Sequence, residues 1–143
     1  MKINISRIVS ESGESIIDSD TVKAYRALIK GNIKNAARIL YKLHYDIYWT
    51  GTRNATTDGI VAQIYKERGI PKPVRTSDSD PDIVKEAVLR RVQDHIKTAK
   101  DIIENGMKVK PKGRIEGDKF RLLDGYNRVA LLIAMGNTEI DAE

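Results

Sequence analysis

Residues 122–140 read LLDGYNRVALLIAMGNTEI, and this stretch decides the fold. It opens as the end of a strand, turns at Asp124-Gly125, and continues as an apolar run whose only charge is Arg128. The pattern predicts a helix from about Tyr126 to Met135, closed by Gly136, with a last strand over Thr138–Ala142. With Asp124 as N-cap, Gly125, Tyr126 and Asn127 form the first turn, and their N–H groups lack helical acceptors. Such an end accepts a phosphate or carboxylate through its donors and its dipole. Gly125 lets a ligand come close to the backbone. Arg128 lies one turn after Asp124 on the same face and can give a forked pair of donors to the same anion. The remainder, Val129–Met135, is apolar all round, so the helix is expected to be buried with only its polar mouth in solvent. The same residues allow a plainer reading. Asp124 can be a structural cap contributing about 1 kcal/mol, and Asp124–Arg128 an ion pair contributing roughly 0.3–0.5 kcal/mol.

Working outward, Lys112–Glu116 and Lys119–Leu123 form a hairpin around Gly117-Asp118. Before it, Asp80 caps a helix with Pro81 at its first position. That helix runs to Asn105, stops at Gly106, and carries the stripe Val84, Val88, Val92, Ile96, Ala99 and Ile103. Pro71–Asp80 is the clearest linker. A short helix spans Gly59–Arg68 and Gly51–Asp58 is loop. Asp20 or Thr21 caps a helix from Val22, and the stripe Val22, Tyr25, Ile29, Ile33, Ala37, Leu40, His44, Ile47 extends it, with Gly31-Asn32 as a candidate break. Lys2–Val9, KINISRIV, alternates as one strand, and Ser10–Ser19 is a polar loop. No repeat or low-complexity tract is present. The expected fold is α+β: a mainly helical basic region over 1–75, then an α+β domain over 76–143 with a small mixed sheet.

The chain has 143 residues, of which 41% are hydrophobic and 31% charged, ordinary for a globular protein with one real core. The absence of cysteine removes disulfides, thiolate metal sites and thiol catalysis, and suits the cytoplasm. No apolar run approaches the roughly 20 residues that span a membrane, and the N-terminus has no signal-peptide core. Two histidines and no ligand spacing give no metal site. The net charge of +5 sits in one half: residues 1–75 hold 13 Lys+Arg against 7 Asp+Glu, residues 76–143 hold 12 against 13. That asymmetry points to an anionic partner.

The stretch IIENGMKVKPKGRIEGDKFRLLDGYNRVALLIAMGNTEI resembles the ParB/sulfiredoxin superfamily over about residues 83–143. In that family a strand delivers an Asp-Gly-x-x-Arg motif to a helix N-terminus, and Asp124, Gly125 and Arg128 match it by position. The family commonly writes DGHHR or DGNHR, whereas Tyr126-Asn127 stand here, which takes histidine chemistry away from that spot. The resemblance implies a corner that binds nucleotide or nucleic-acid phosphates, with ATP or another nucleotide and Mg²⁺ as cofactor. Family members include nucleotide-binding partition proteins, nucleases, sulfiredoxins and small-molecule kinases. Without cysteine, sulfiredoxin activity is excluded, and no room is expected for the helix-turn-helix domain of partition proteins.

A second feature concerns the basic half. From Thr21 to Tyr45 there is no acidic residue, while Lys23, Arg26, Lys30, Lys34, Arg38 and Lys42 recur at helical spacing. On one continuous helix they make a positive face suited to nucleic acid. Tyr41, His44, Tyr45, Tyr48 and Trp49 cluster at its end, where core or a subunit interface is the expectation and base stacking the alternative. His44 is expected to be a satisfied or exposed histidine. Glu116 in the hairpin, beside Asp124, and Glu104 are the carboxylates available as general base. Three functional readings follow. The first is a ParB-like domain acting on a nucleotide or nucleic acid by phosphotransfer, hydrolysis or nuclease-type chemistry. The second is a non-catalytic nucleic-acid-binding or adaptor protein using the basic helix. The third is a homo-oligomeric module joined through the aromatic helix. A short, basic, cysteine-free chain also suits a phage or plasmid accessory protein.

Overall fold

The computed structural model describes residues 1–50 and 55–143. Among these the elements are β1 Lys2–Asn4, β2 Ile8–Val9, α1 Asp20–Ile29, α2 Ile33–Thr50, α3 Ala55–Arg68, α4 Pro81–Asn105, β3 Lys112–Glu116, β4 Lys119–Asp124, α5 Tyr126–Ala134 and β5 Glu139–Asp141. The fold is α+β. The chain divides into two compact units, Met1–Ala36 with Thr98–Glu143, and Ala37–Lys97. The boundary expected between residues 75 and 76 therefore falls inside the second unit.

The first unit holds all the described strands. β4 lies between β2, which runs parallel to it, and β3, which is antiparallel. β1 and β5 form a separate antiparallel pair. The expected single strand KINISRIV is thus divided between two sheets. Asn4 Oδ1 accepts the Ser6 N–H at 3.0 Å and the Ser6 hydroxyl at 2.7 Å, and a 3₁₀ turn at Ile5–Arg7 follows. Ile3 and Ile8 are both buried although they stand five positions apart, an odd offset that an unbroken strand places on opposite faces. The β3–β4 hairpin turns at Gly117-Asp118 as the sequence predicts. Gly113 is obligatory in it: a Cβ there would lie 2.3 Å from the Arg121 carbonyl oxygen and 2.6 Å from the Phe120 ring. α5 packs on α1. Val129, Ala130, Leu131 and Ile133 of α5 are buried, as are Val22, Tyr25 and Leu28 of α1, while Met135 is exposed.

The long N-terminal helix is broken where Gly31-Asn32 stands. Gly31 takes φ +85° and donates to Leu28 O at 3.0 Å, and Asn32 N–H donates to Ala27 O at 2.9 Å. The same Asn32 then accepts the Asn35 N–H at 3.1 Å, capping α2. The break resets the helical phase, so the expected stripe positions Ile29 and Ile33 are exposed and Leu28 and Ala36 are buried instead. α1 is capped by Ser19, whose Oγ accepts the Val22 N–H at 3.3 Å, rather than by Asp20 or Thr21.

The second unit packs α2 from Ala37, α3, and α4 as far as Lys97. Its core takes Leu40 and Tyr48 from α2, Val61, Ile64 and Tyr65 from α3, and Ile83, Val84, Ala87, Val88 and Val92 from α4. α3 starts at Ala55, earlier than expected, so residues 55–58 are helical, and residues 51–54 of the expected loop lie outside the described residues. The expected linker Pro71–Asp80 is stitched down. Ser79 is buried with its Oγ 2.9 Å from the Tyr48 hydroxyl, the Asp80 N–H donates to the Tyr65 hydroxyl at 2.8 Å, and Lys72 pairs with Asp58 at 3.2 Å. α4 begins and ends where the sequence places it: Asp80 Oδ1 accepts the Asp82 N–H at 2.9 Å, and Gly106 takes φ +80°.

Candidate functional site

The corner after β4 is shifted by one residue from expectation. Asp124 ends the strand and is exposed, and Gly125 is the N-cap of α5, at φ +94° and with no side-chain cap. Only glycine holds that φ without strain. Its open side is walled by Pro111, where a Cβ on Gly125 would come within 3.1 Å. The first turn is accordingly Tyr126, Asn127 and Arg128, and Val129 N–H makes the first intrahelical bond, to Gly125 O at 2.9 Å. Asn127 is exposed, and Tyr126 and Arg128 are half-buried.

Both structural roles proposed for Asp124 are missing. It does not cap α5, and it makes no ion pair with Arg128 among the described residues. Arg128 Nη1 is buried without a hydrogen-bond partner among the described residues. A buried donor left unmade costs about 1–3 kcal/mol, and more when charged. The first turn also holds no acidic residue, so a cation stands where the helix dipole favours an anion. Two positive features therefore converge there, with no ion pair to Arg128 among the described residues: the dipole of the helix N-terminus and the guanidinium. Together they can hold an oxyanion, with Asp124 and Asn127 at the rim.

Glu116 is not brought to this corner. It pairs with Lys119 at the turn end of the hairpin, whereas Asp124 pairs with Lys112 at the other end, roughly 13 Å away along the strand. Arg114 Nε and Arg121 Nε both donate to its carboxylate, the latter at 2.9 and 3.0 Å. These bonds, the Arg114 one foremost, hold its pKa below the usual glutamate range, which makes it a poor base. Arg121 also donates to Glu11 O at 2.7 Å, so Glu116 and Arg121 tie the hairpin to the N-terminal loop. Glu104 lies exposed at the end of α4.

Lys23, Arg26, Lys30, Lys34, Arg38 and Lys42 are all exposed. The break at Gly31-Asn32 sets them on two helices, Lys23 and Arg26 on α1, Lys34, Arg38 and Lys42 on α2, with Lys30 at the end of α1. Lys23 is 3.9 Å from Asp20.

His44 departs from its expected fate, being neither exposed nor satisfied. It is buried, and its Nε2 has no hydrogen-bond partner among the described residues. His95 of α4, which the local sequence gave no reason to connect with it, stacks on it at 4.8 Å between ring centroids. Arg91 Nε donates to His95 Nε2 at 3.2 Å and its Nη1 donates to Thr57 Oγ1 at 2.9 Å. Burial, then Arg91, then His95 lower the His44 pKa to about 3. Burial and Arg91 lower that of His95 to about 4, against an opposing effect of Asp94. Both rings are thus neutral at physiological pH. Among the described residues no group of three His, Cys, Asp or Glu is placed to hold a metal ion, and no helix is long and apolar enough to cross a membrane. No family model, curated protein or solved structure matches the chain.

Proposed function

We propose that the β4–α5 corner binds a phosphate group of a nucleotide or nucleic acid, with Gly125, Tyr126, Asn127 and Arg128 as the binding residues and Asp124 as the carboxylate beside the reacting group. The observation that carries this reading is the buried, unpartnered Nη1 of Arg128 at a helix N-terminus that has no side-chain cap. A phosphate oxygen supplies the acceptor that the guanidinium lacks and the negative charge that the helix end favours. The resemblance of Asp124-Gly-Tyr-Asn-Arg128 to the ParB/sulfiredoxin motif supports the same ligand class. Mg²⁺ would arrive on the nucleotide's own phosphates, with Asp124 as the nearest carboxylate in sequence. Phosphotransfer, hydrolysis and nuclease-type cleavage all use this set of parts. The test is a thermal-shift screen with ATP, ADP, CTP, GTP and short DNA, each with and without Mg²⁺, on wild type and Arg128→Ala. A ligand of the folded state raises the wild-type transition and not that of the variant. No shift with any of them removes the reading.

A second reading, non-catalytic nucleic-acid binding, is favoured by the exposure of all six basic residues between Lys23 and Lys42. Replacing Lys30, Lys34 and Arg38 together by Gln should flatten the salt dependence of duplex binding by roughly 2–3 units if all three meet phosphates. Nucleotide binding by the corner should survive that change.

A further inference from the structure

The aromatic residues at the end of α2 do not share one fate. Tyr48 is fully buried, with its hydroxyl 2.9 Å from Ser79 Oγ. Tyr41, Tyr45 and Trp49 remain part-exposed. They form a ladder one turn apart: Tyr41 and Tyr45 lie parallel within 7° at 6.0 Å, and Trp49 meets Tyr45 edge-on at 6.0 Å. The buried Tyr48 ring fixes Trp49 from the inside at 5.2 Å. With 3.6 residues per turn, Tyr41, Tyr45, Trp49, Arg38 and Lys42 fall within about 100° of arc around the helix. Arg38 and Lys42 are exposed, and Lys85 of α4 lies close enough to the Tyr41 phenol to oppose the rise that burial gives its pKa. Asp46, the sole acid of α2, bounds this face on the far side of Lys42.

We infer that this face of α2 is a binding surface for single-stranded nucleic acid, with Tyr41, Tyr45 and Trp49 stacking bases and Arg38, Lys42 and Lys85 meeting phosphates. Charge complementarity selects a polyanion, and the aromatic ladder selects one whose ring faces are free. A duplex hides its base faces, whereas a single strand offers one for every phosphate. Trp49, held by Tyr48, and Tyr41 and Tyr45, held by their ring neighbours in the ladder, lose little freedom on binding. The inference rests on the second reading above, and adds to it the kind of strand that the basic face takes.

Trp49 is the chain's one tryptophan, so its emission reports on this face without any label. Oligothymidylate, a duplex of equal length and polyglutamate are titrated at low salt against the full chain. Oligothymidylate should quench Trp49 and bind several-fold tighter than the duplex. Tyr45→Leu should lower the affinity for the single strand about tenfold while leaving the duplex unchanged. Arg38→Gln with Lys42→Gln, which alters only exposed positions, should weaken both. Arg128→Ala should leave the quench intact. Equal affinity for single strand and duplex with unchanged Trp49 emission overturns the stacking inference but spares the basic-face reading. No binding of either, or polyglutamate binding as tightly as oligothymidylate, overturns both.

Discussion

Helices α4 and α5 begin in opposite ways. At α4 Asp80 accepts a first-turn N–H, Pro81 occupies the first position where its missing donor does no harm, and Asp82 adds an acid to the positive end. At α5 the cap is Gly125, which has no side chain to accept a first-turn N–H, no acid stands in the first turn, and Arg128 brings a positive charge instead. One helix start is complete in itself. The other, on the function proposed above, is completed by the anion it binds. Local rules broken without a compensating partner mark places kept for something else, and the contrast within one chain makes the departure at α5 informative.

The largest expected effect comes from acid, which separates the two regions because both histidines of the chain, His44 and His95, lie in the Ala37–Lys97 unit. Their folded pKa values, about 3 and about 4, lie below the unfolded 6.5, so the unfolded chain binds more protons. Stability is full above about pH 6.5, and each histidine then removes roughly 1.4 kcal/mol per pH unit as pH falls toward the folded values. Urea midpoints at pH 7 and pH 5, with His95→Gln beside wild type, measure this. A pH dependence unaltered in the variant contradicts it. Next, Gly125→Ala should cost about 1–3 kcal/mol, because alanine is strained at φ +94° and its Cβ meets Pro111. It should also abolish phosphate binding, checked by denaturant melts and ligand titration on the same sample. Asp80→Ala should cost about 1 kcal/mol at the self-sufficient start. The smallest stability change belongs to Arg128→Met. Removing a buried unpaired donor and a first-turn cation should leave the midpoint within about 0.5 kcal/mol of wild type, or raise it, while phosphate affinity falls tenfold or more. Loss of stability matching Asp80→Ala would mean that the two helix starts are alike after all.

Much of this architecture is legible in the sequence where the local chemistry is self-contained. Asp80-Pro81 and Gly106 bracket α4, Gly117-Asp118 marks the hairpin, and Gly136 ends α5, because each signal acts on its own few residues. KINISRIV misleads because alternation is blind to the Asn4 turn that sends its two halves to different sheets. The apolar stripe loses phase at Gly31-Asn32, since helical periodicity assumes an unbroken helix. The Asp124–Arg128 corner is legible as residues but not as geometry. The one-residue shift of the cap to Gly125 and the orphaned Arg128 nitrogen depend on tertiary surroundings. The His44–His95 stack joins two helices far apart in sequence, and no local pattern announces it. Glu116 and Glu104 are offered by the sequence with no spacing to choose between them, and the strand register, which no local pattern gives, puts Glu116 at the opposite end of the hairpin from Asp124.

The first unit is drawn from segments on either side of the helical one, and this has a consequence for how the protein is made. β2 pairs with β4, and β1 with β5, so neither pairing exists until the segments that follow the helical unit have left the ribosome. The helices of Ala37–Lys97 have every member of their own core in hand well before that. Synthesis therefore favours a helical unit that folds early, while Ile3, Ile8 and the apolar face of α1 wait for Phe120, Leu122 and α5. That long-range closure is the slow, entropy-opposed step. During the wait the exposed β1–β2 segment is the part of the nascent chain most open to pairing with the wrong strand.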